Sequence, residues 1–233
     1  MEKIKWGIIG PGNIANNFAD GLKGSYSGQL VSIASKSEDR RKTFGDKYDI
    51  HPDFRFDTYE DIINSEHIDA IYISTPHTLH AEWTIKAAGK GKHILCEKPG
   101  AINFNEGKKI IDAVREAGVF YMEGFMYRCH PQIPKLVEII KDKMIGDVIS
   151  IETSFGFDMG KTIPDHRLFN KNLAGGGILD VGLYPISFSR LIAGVATGDK
   201  FSEPKFLDAE AKLGETDVDE IAHANLEFKN GIK

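Results

Sequence analysis

Cysteine is scarce in this chain. Its 233 residues hold two, Cys96 and Cys129, too few for a disulfide framework and without the spacing of a zinc site, so no metal centre is expected. Cys96 falls in an apolar run and reads as a small core residue. An excess of positive charge is lacking too. The formal net charge is -5, which gives no general attraction to nucleic acid or to an anionic membrane, and neither is expected as a partner. Long apolar runs are missing as well. Lys5-Trp6-Gly7-Ile8-Ile9 is too short for the apolar region of a signal peptide, and no run reaches membrane-spanning length, so a cytoplasmic protein is expected. Internal repeats, low-complexity tracts and Pro/Gly/Ser-rich linkers are also absent from the sequence. What remains is 41% hydrophobic and 27% charged, the composition of a soluble globular protein with room for one large domain or two smaller ones.

The first half alternates short apolar runs with helical patterns. Strands are predicted at Lys5–Ile9, Leu30–Ser35, Ala70–Ser74, His93–Cys96 and Val119–Glu123. Helices are predicted around Ile14–Leu22, Glu38–Tyr48, Tyr59–Asn64, Leu79–Ala88 and Phe104–Ala117. Ile14, Phe18 and Leu22 recur every fourth residue, as one buried helical face requires. Asn103 with Glu106 forms an N-terminal capping signal, and Gly118 ends that helix. Strand-helix alternation of this kind predicts a doubly wound α/β domain, a parallel sheet covered on both faces. Near residue 122 the pattern changes, which predicts domains at 1–122 and 123–233. Pro131 opens a helix with Ile133, Leu136, Val137, Ile140 and Met144 on its apolar face, ended by Gly146. Ile149, Ile151, Thr153, Phe155 and Phe157 then alternate with polar residues and read as a half-buried strand. A helix following Gly175-Gly176-Gly177 runs to about Ala193, and Ala222, Ala224, Leu226 and Phe228 mark a further strand. This second part reads as an α+β domain with an open, mostly antiparallel sheet and helices on one face.

Three motifs carry chemistry. Gly10-Pro11-Gly12-Asn13-Ile14-Ala15 has the form G-x-G-x-x-A between a predicted strand and a predicted helix. Gly10 permits the tight turn, Gly12 lets a pyrophosphate approach the backbone, and the third small residue lets helix and strand pack closely. Free N–H groups at the helix start, from Asn13 and Ile14 onward, attract an anion. An acid at the end of the second strand would hold the ribose of NAD, but that strand ends Ala34-Ser35-Lys36-Ser37. Ser35 and Lys36, with Arg40 or Arg41, suit a 2′-phosphate, which favours NADP with NAD as the alternative. Lys98 lies where the run His93-Ile94-Leu95-Cys96 passes into a loop. In a parallel sheet that is the edge where ligands bind, and an ammonium there polarises an alcohol or carbonyl beside a nicotinamide ring. In Gly175-Gly176-Gly177-Ile178-Leu179-Asp180-Val181-Gly182-Leu183-Tyr184, the glycines let the chain pass close to a ligand. Asp180 and Tyr184 share a helical face, and a tyrosine hydroxyl beside a lysine suits proton transfer to or from an alcohol.

The glycine turn, Thr75-Pro76-His77-Thr78-Leu79-His80, Glu97-Lys98-Pro99 and the G-G-G-x-x-D-x-G-x-Y segment occur in the order found in the glucose-fructose oxidoreductase / inositol dehydrogenase / MocA family, which this chain resembles along essentially its whole length. Tyr121-Met122-Glu123-Gly124-Phe125-Met126-Tyr127-Arg128-Cys129-His130-Pro131 looks like its branch of NADP-dependent D-xylose dehydrogenases and dihydrodiol dehydrogenases. The resemblance implies a Rossmann domain followed by an α/β domain whose open sheet often makes dimers. It implies that Lys98 is the catalytic lysine, Tyr184 the acid/base and Asp180 a residue that positions substrate. Glu97 and Pro99 would shape the nicotinamide site, Thr75 and Pro76 would line the cofactor, and His80, Arg128 and Arg167 would stand near cofactor or substrate. His77 departs from the asparagine frequent among relatives.

The expected function is hydride transfer between NADP(H) and a secondary alcohol of a sugar, polyol or cyclic diol. The competing expectations are a non-catalytic cofactor-binding regulator and an inactive fragment. Relatives continue for roughly another hundred residues, on the domain-size scale. Asn230-Gly231 after the last strand is a hairpin signal with almost no chain left to return. The sequence therefore predicts an incomplete second domain and self-association through its open sheet.

Overall fold

Successive side chains of a strand point to opposite faces, and the central strands of the first unit are apolar on both. Ile8 packs with Ala15, Ala19, Ile33, Phe44 and Tyr72 on one face, while Ile9 packs with Ile62, Ile71, Ile73, Trp83 and Ile94 on the other. A sheet buried on both faces is the parallel kind, covered by its own crossover helices. In the computed structural model, which describes residues 2–233, two compact units are found, Met1–Gly124 and Phe125–Lys233.

In the first unit, β1 (Ile4–Ile9), β2 (Gly28–Ala34), β3 (Arg55–Phe56), β4 (Ala70–Ile73), β5 (His93–Cys96) and β6 (Tyr121–Glu123) lie side by side in the order β3-β2-β1-β4-β5-β6. All five pairings are parallel. The crossovers carry α1 (Asn13–Lys23), α2 (Glu38–Lys47), α3 (Tyr59–Asn64), α4 (His80–Ala88) and α5 (Phe104–Ala117). Local signals set their ends. Asn103 Oδ1 accepts the Glu106 N–H at 3.0 Å to start α5, and Gly118 stops it in the left-handed conformation at φ 64°. The order reverses between β1 and β4, and that switch point is where such sheets bind ligands, beyond the carboxyl ends of the strands.

The second unit departs further from the sequence pattern. α6 (Gln132–Lys141) turns Ile133, Leu136, Val137 and Ile140 inward, but it ends at Lys141. Met144 is excluded and exposed, because Lys143, at positive φ, has already turned the chain. The alternating segment Ile149–Phe157 is not a strand. Among the described residues no strand pairs with it, and although the Ile151 N–H donates to the Lys233 carbonyl at 2.7 Å, a ladder needs a continuous partner. The helix after the glycines begins as a π-helical turn at Ile178–Gly182 and continues as α7 (Leu183–Ala196). By length and composition, the helical stretch Lys171–Ala196 passes as a candidate membrane span, which the sequence reading passed over. Within the unit it buries Asp180, Ser189, Leu191, Ile192 and Ala193.

The final strand, β8 (Asp219–Glu227), has a partner that the sequence reading missed, β7 (Lys205–Leu213), in an antiparallel hairpin. Nor does its C-terminal end lack neighbours. Phe228 is buried with Ala193 and Ile232, and Leu226 packs against them. Asn230 and Gly231 do form a tight turn, at φ 63° and 74°, closed by the Phe228 N–H donating to the Ile232 carbonyl at 2.7 Å.

Candidate active site

The residues singled out from the sequence fall into two groups, one in each unit. In the first unit they collect beyond the carboxyl ends of β1, β2, β4 and β5. Gly10 follows β1 at φ 91°, and a Cβ there would stand 3.1 Å from the Ser74 carbonyl at the end of β4. Ser74 Oγ in turn donates to the Gly10 carbonyl at 2.8 Å, so the ends of β1 and β4 are tied side chain to backbone. A Cβ at Gly12 would meet nothing within 4 Å. That open space lies over the start of α1, where Asn13, Ile14 and Ala15 supply first-turn N–H groups without an acid or a side-chain cap to occupy them.

At the end of β2, Ser35 is buried and its hydroxyl accepts the Ser37 N–H at 3.3 Å. Lys36 and Arg40 are exposed, with the Lys36 ammonium 5.8 Å from the centre of the Tyr59 ring. Arg41 is committed elsewhere, donating to the Ser35 carbonyl at 2.6 Å. After β4, Thr75 is 8% exposed and its hydroxyl finds no hydrogen-bond partner among the described residues. A buried polar atom without a partner is the exception in folded proteins, and here it borders the switch point. An open glycine turn, an orphaned hydroxyl and two exposed cations together fit a dinucleotide.

Lys98 stands in a turn tied down on both sides. Tyr72, stacked on Phe18 at a ring separation of 4.1 Å, donates its hydroxyl to Glu97 Oε1 at 2.5 Å. Burial and the Glu97 charge push the Tyr72 hydroxyl far above its ordinary range, so it stays a donor. His80 is buried, with Nδ1 2.7 Å from the Pro99 carbonyl and Nε2 2.8 Å from the Thr75 carbonyl. Backbone carbonyls from both strand ends flank the ring, and the neutral imidazole donates its one N–H to one of them, so His80 spans the ends of β4 and β5. Burial is the largest influence on it and lowers its pKa. Cys96, just before the turn, is sealed in the core with its thiol pushed up to about 12 by burial. That thiol is inert.

In the second unit, Asp180 is 4% exposed and accepts from Arg167 Nη1 at 3.0 Å. A carboxylate this deep is tolerated because a cation meets it. Tyr184 sits one turn on, ringed edge-to-face by Phe125, Tyr127 and Phe155 at 5.6, 6.1 and 5.4 Å. The Arg128 guanidinium lies 4.9 Å from the centre of the Phe201 ring. The glycine triplet lets the chain pass close to itself. A methyl on Gly175 would stand 2.6 Å from the Leu168 carbonyl, and one on Gly176, at φ 115°, would collide with the Asp219 carboxylate. Asp219 Oδ2 accepts the Ile178 N–H at 2.6 Å and so fixes the start of the helix bearing Asp180 and Tyr184. The sequence reading singled out neither Asp219 nor Tyr72. Both lie on strands, where a polar residue carries no signal of what it will meet.

Residues 4–125 match the oxidoreductase family model with an NAD-binding Rossmann fold, and residues 133–233 match the GFO/IDH/MocA C-terminal domain. The chain is 32% identical over 231 residues to a trans-1,2-dihydrobenzene-1,2-diol dehydrogenase of Mus musculus, covering 98% of this chain and 66% of the relative. It is 34% identical over 191 residues to D-xylose 1-dehydrogenase (NADP(+)) 2 of Haloferax volcanii, covering 82% of this chain and 58% of the relative. This chain thus spans less than two thirds of the length of either. Among solved structures, the aldose-aldose oxidoreductase of Caulobacter crescentus, complexed with glycerol, superposes with a TM-score of 0.86 at 29% identity, over 99% of this chain and 69% of that one. The six-stranded parallel sheet is thus an NAD(P)-binding Rossmann domain, and with both halves matched the chain belongs to the Gfo/Idh/MocA oxidoreductase family.

Proposed function

We propose that this protein is an NADP(H)-dependent dehydrogenase acting on a secondary alcohol of a sugar, polyol or cyclic diol, with Tyr184 as acid/base assisted by Lys98. The observation that carries this reading is the switch-point crevice, with an open glycine turn at one strand end and a braced lysine two strands away. Gly10, Gly12, Asn13 and Ile14 hold the pyrophosphate, Thr75 and Pro76 line the crevice, and Glu97 shapes the nicotinamide end. Lys36 and Arg40 take the 2′-phosphate, the first acid, Glu38, lying past the end of β2 in the first turn of α2. When bound, NADP(H) supplies or accepts the hydride. Tyr184 Oη takes the proton of the substrate hydroxyl on oxidation and returns it on reduction. The Lys98 ammonium stabilises the developing alkoxide. Asp180, held by Arg167, orients the hydroxyl that reacts. The relatives support this substrate class, being named for a diol, a pentose and aldoses.

The protein works in the cytoplasm as a homo-oligomer. Every residue of β7 is exposed, and Phe206, Leu207, Leu213 and Ile221 stand on the hairpin surface, a strand pair suited to a second copy. The deciding experiment is a screen of sugars, polyols and diols for NADP reduction, with NADPH fluorescence quenching and sedimentation measured on the same sample. Quenching with turnover on a cyclic substrate is expected. Tighter binding of NAD than NADP would overturn the cofactor assignment, and quenching without turnover on any substrate would leave a cofactor-binding protein that is not this enzyme.

A further inference from the structure

Of the four residues Glu97-Lys98-Pro99-Gly100, three are tied by side chains from three different elements. Tyr72 of β4 holds the Glu97 carboxylate at 2.5 Å, and His80 of α4 meets the Pro99 carbonyl at 2.7 Å. The third tie comes from the end of β6. Glu123 Oε1 accepts the Gly100 N–H at 2.7 Å. The fit is close, because a methyl on Gly100 would collide with the Tyr121 hydroxyl. The β6 end is itself fixed, since the Gly124 N–H donates to the Cys96 carbonyl at 2.7 Å. A half-buried carboxylate is costly unless it has a task, and this one stands near a second, Glu97.

We propose that Glu123 is a positioning residue of the Lys98 turn: its carboxylate anchors Gly100 and, with Tyr72 and His80, fixes where the Lys98 side chain leaves the backbone. This rests on the reading of Lys98 as catalytic, but the anchor itself can be tested without turnover. A displacement of about 1 Å at a reacting group costs on the order of a hundredfold in rate, so a turn held at three points out of four is worth its buried acid. Burial, more than the Glu97 charge, raises the Glu123 pKa, while the Gly100 N–H opposes the rise. The other groups facing this corner are Tyr121 on β6, Cys96 on β5, Tyr72 on β4 and His80 on α4. Tyr121, Cys96 and Tyr72 stay protonated through the range, their pKa values raised by burial. Burial lowers the His80 pKa, and a variant at Glu123 separates any His80 contribution from the Glu123 one.

The test uses the full chain with ¹⁵N-glycine and with lysines carrying ¹³C-methyl groups, in wild type, Glu123→Gln and Glu123→Leu. The wild-type Gly100 amide proton should move downfield as the pH rises through the Glu123 titration, and the Lys98 methyl resonance should follow with the same midpoint. Glu123→Gln, which keeps the acceptor oxygen, should flatten that shared step and leave kcat within about threefold of wild type. Glu123→Leu should speed Gly100 hydrogen exchange, shift the Lys98 resonance, and lower kcat by about ten- to a hundredfold with NADP(H) affinity little changed. If Glu123→Leu does not fold, the wild-type titration and its loss in Glu123→Gln decide the matter. A Gly100 amide that ignores pH, a step that survives in Glu123→Gln, or a Lys98 resonance that does not follow Gly100 overturns the proposal. Absence of turnover in wild type would instead tell against Lys98 as a catalytic residue and leave the resonance test of the anchor standing.

Discussion

Ile71 and Ile221 are both isoleucines on strands, yet Ile71 is sealed at 0% exposure in β4 and Ile221 stands 52% exposed on β8. The same contrast separates the two sheets. Each central strand of the parallel sheet is flanked by strands and covered by helices, and Ile8, Ile9, Ile33, Ile71, Ile73 and Ile94 are sealed at 0–1% exposure. The β7–β8 hairpin has one pairing, and almost all of its residues face solvent within the unit. A pair of strands gains little from burial, and an isolated hairpin is marginal in water. Cofactor-side residues are therefore set on a rigid platform. The helix bearing Asp180 and Tyr184 depends instead on local devices, the Asp219 cap and the Arg167 ion pair.

If both units contribute to one reaction, the largest effect should come from either side of that contrast. Tyr184→Phe and Lys98→Met are each expected to lower kcat by roughly a hundred- to ten-thousand-fold, with NADPH affinity nearly unchanged in Tyr184→Phe. The double variant should lose less than the product of the two, since the groups act as a unit. Near-normal turnover in Tyr184→Phe, measured by NADPH absorbance, would confine the chemistry to the Rossmann unit.

The next effect separates the two cores. Ile71→Ala should destabilise the first unit by about 2–5 kcal/mol, seen as a lower urea midpoint for hydrogen exchange in peptides of residues 2–124. In the second unit, Gly176→Ala should cost about 1–3 kcal/mol from the strained φ alone, with the carboxylate collision added to it. Its exchange signature should stay within residues 125–233 and leave NADPH quenching in place. A loss of quenching would show that the units do not fold separately.

A smaller, pH-dependent effect belongs to Glu123. Its folded pKa is raised above the ordinary 4.5, chiefly by burial, so its contribution to stability is full below that value and is lost as the pH rises through the folded value. Glu123→Gln, neutral throughout, should melt above wild type at pH 8, with the gap closing toward pH 4. A gap that widens on acidification would contradict the sign. The smallest effect is expected at the hairpin, where Ile221→Thr should stay within about 0.5 kcal/mol in the monomer. A larger loss, dependent on protein concentration, would mean that the hairpin is covered by a second copy.

The two regions also differed in how plainly the sequence announced them. His93–Cys96, Tyr59–Asn64 and Phe104–Ala117 lie where the residue pattern places them, because capping residues and doubly buried strands leave unmistakable marks. β3 escaped notice because Arg55 and Phe56 alone form it. In the second unit the pattern misled in both directions. Ile149–Phe157 alternates like a strand but has no strand to pair with among the described residues, while β7 pairs well although Asp208, Glu210 and four alanine or lysine positions give it little strand character. Pairing is a property of two segments, and a single segment does not declare its partner. The site shows the same limit. The placement of Gly10 and Gly12 after β1 and of Lys98 after β5 was legible from their motifs. The brace role of His80 and the capping role of Asp219 were not, because each depends on backbone brought in from a distant element.

The contact between Gly176 and Asp219 reaches beyond the folded molecule. A methyl at position 176 and a carboxylate at position 219 cannot occupy the space together, so neither position drifts alone. In a recombined gene whose crossover falls between these codons, the incoming β8 must bring either an aspartate with its glycine or a smaller residue with a different helix start. Chimaeras that respect the pairing should express as folded protein, and those that split it should be lost before any question of activity arises.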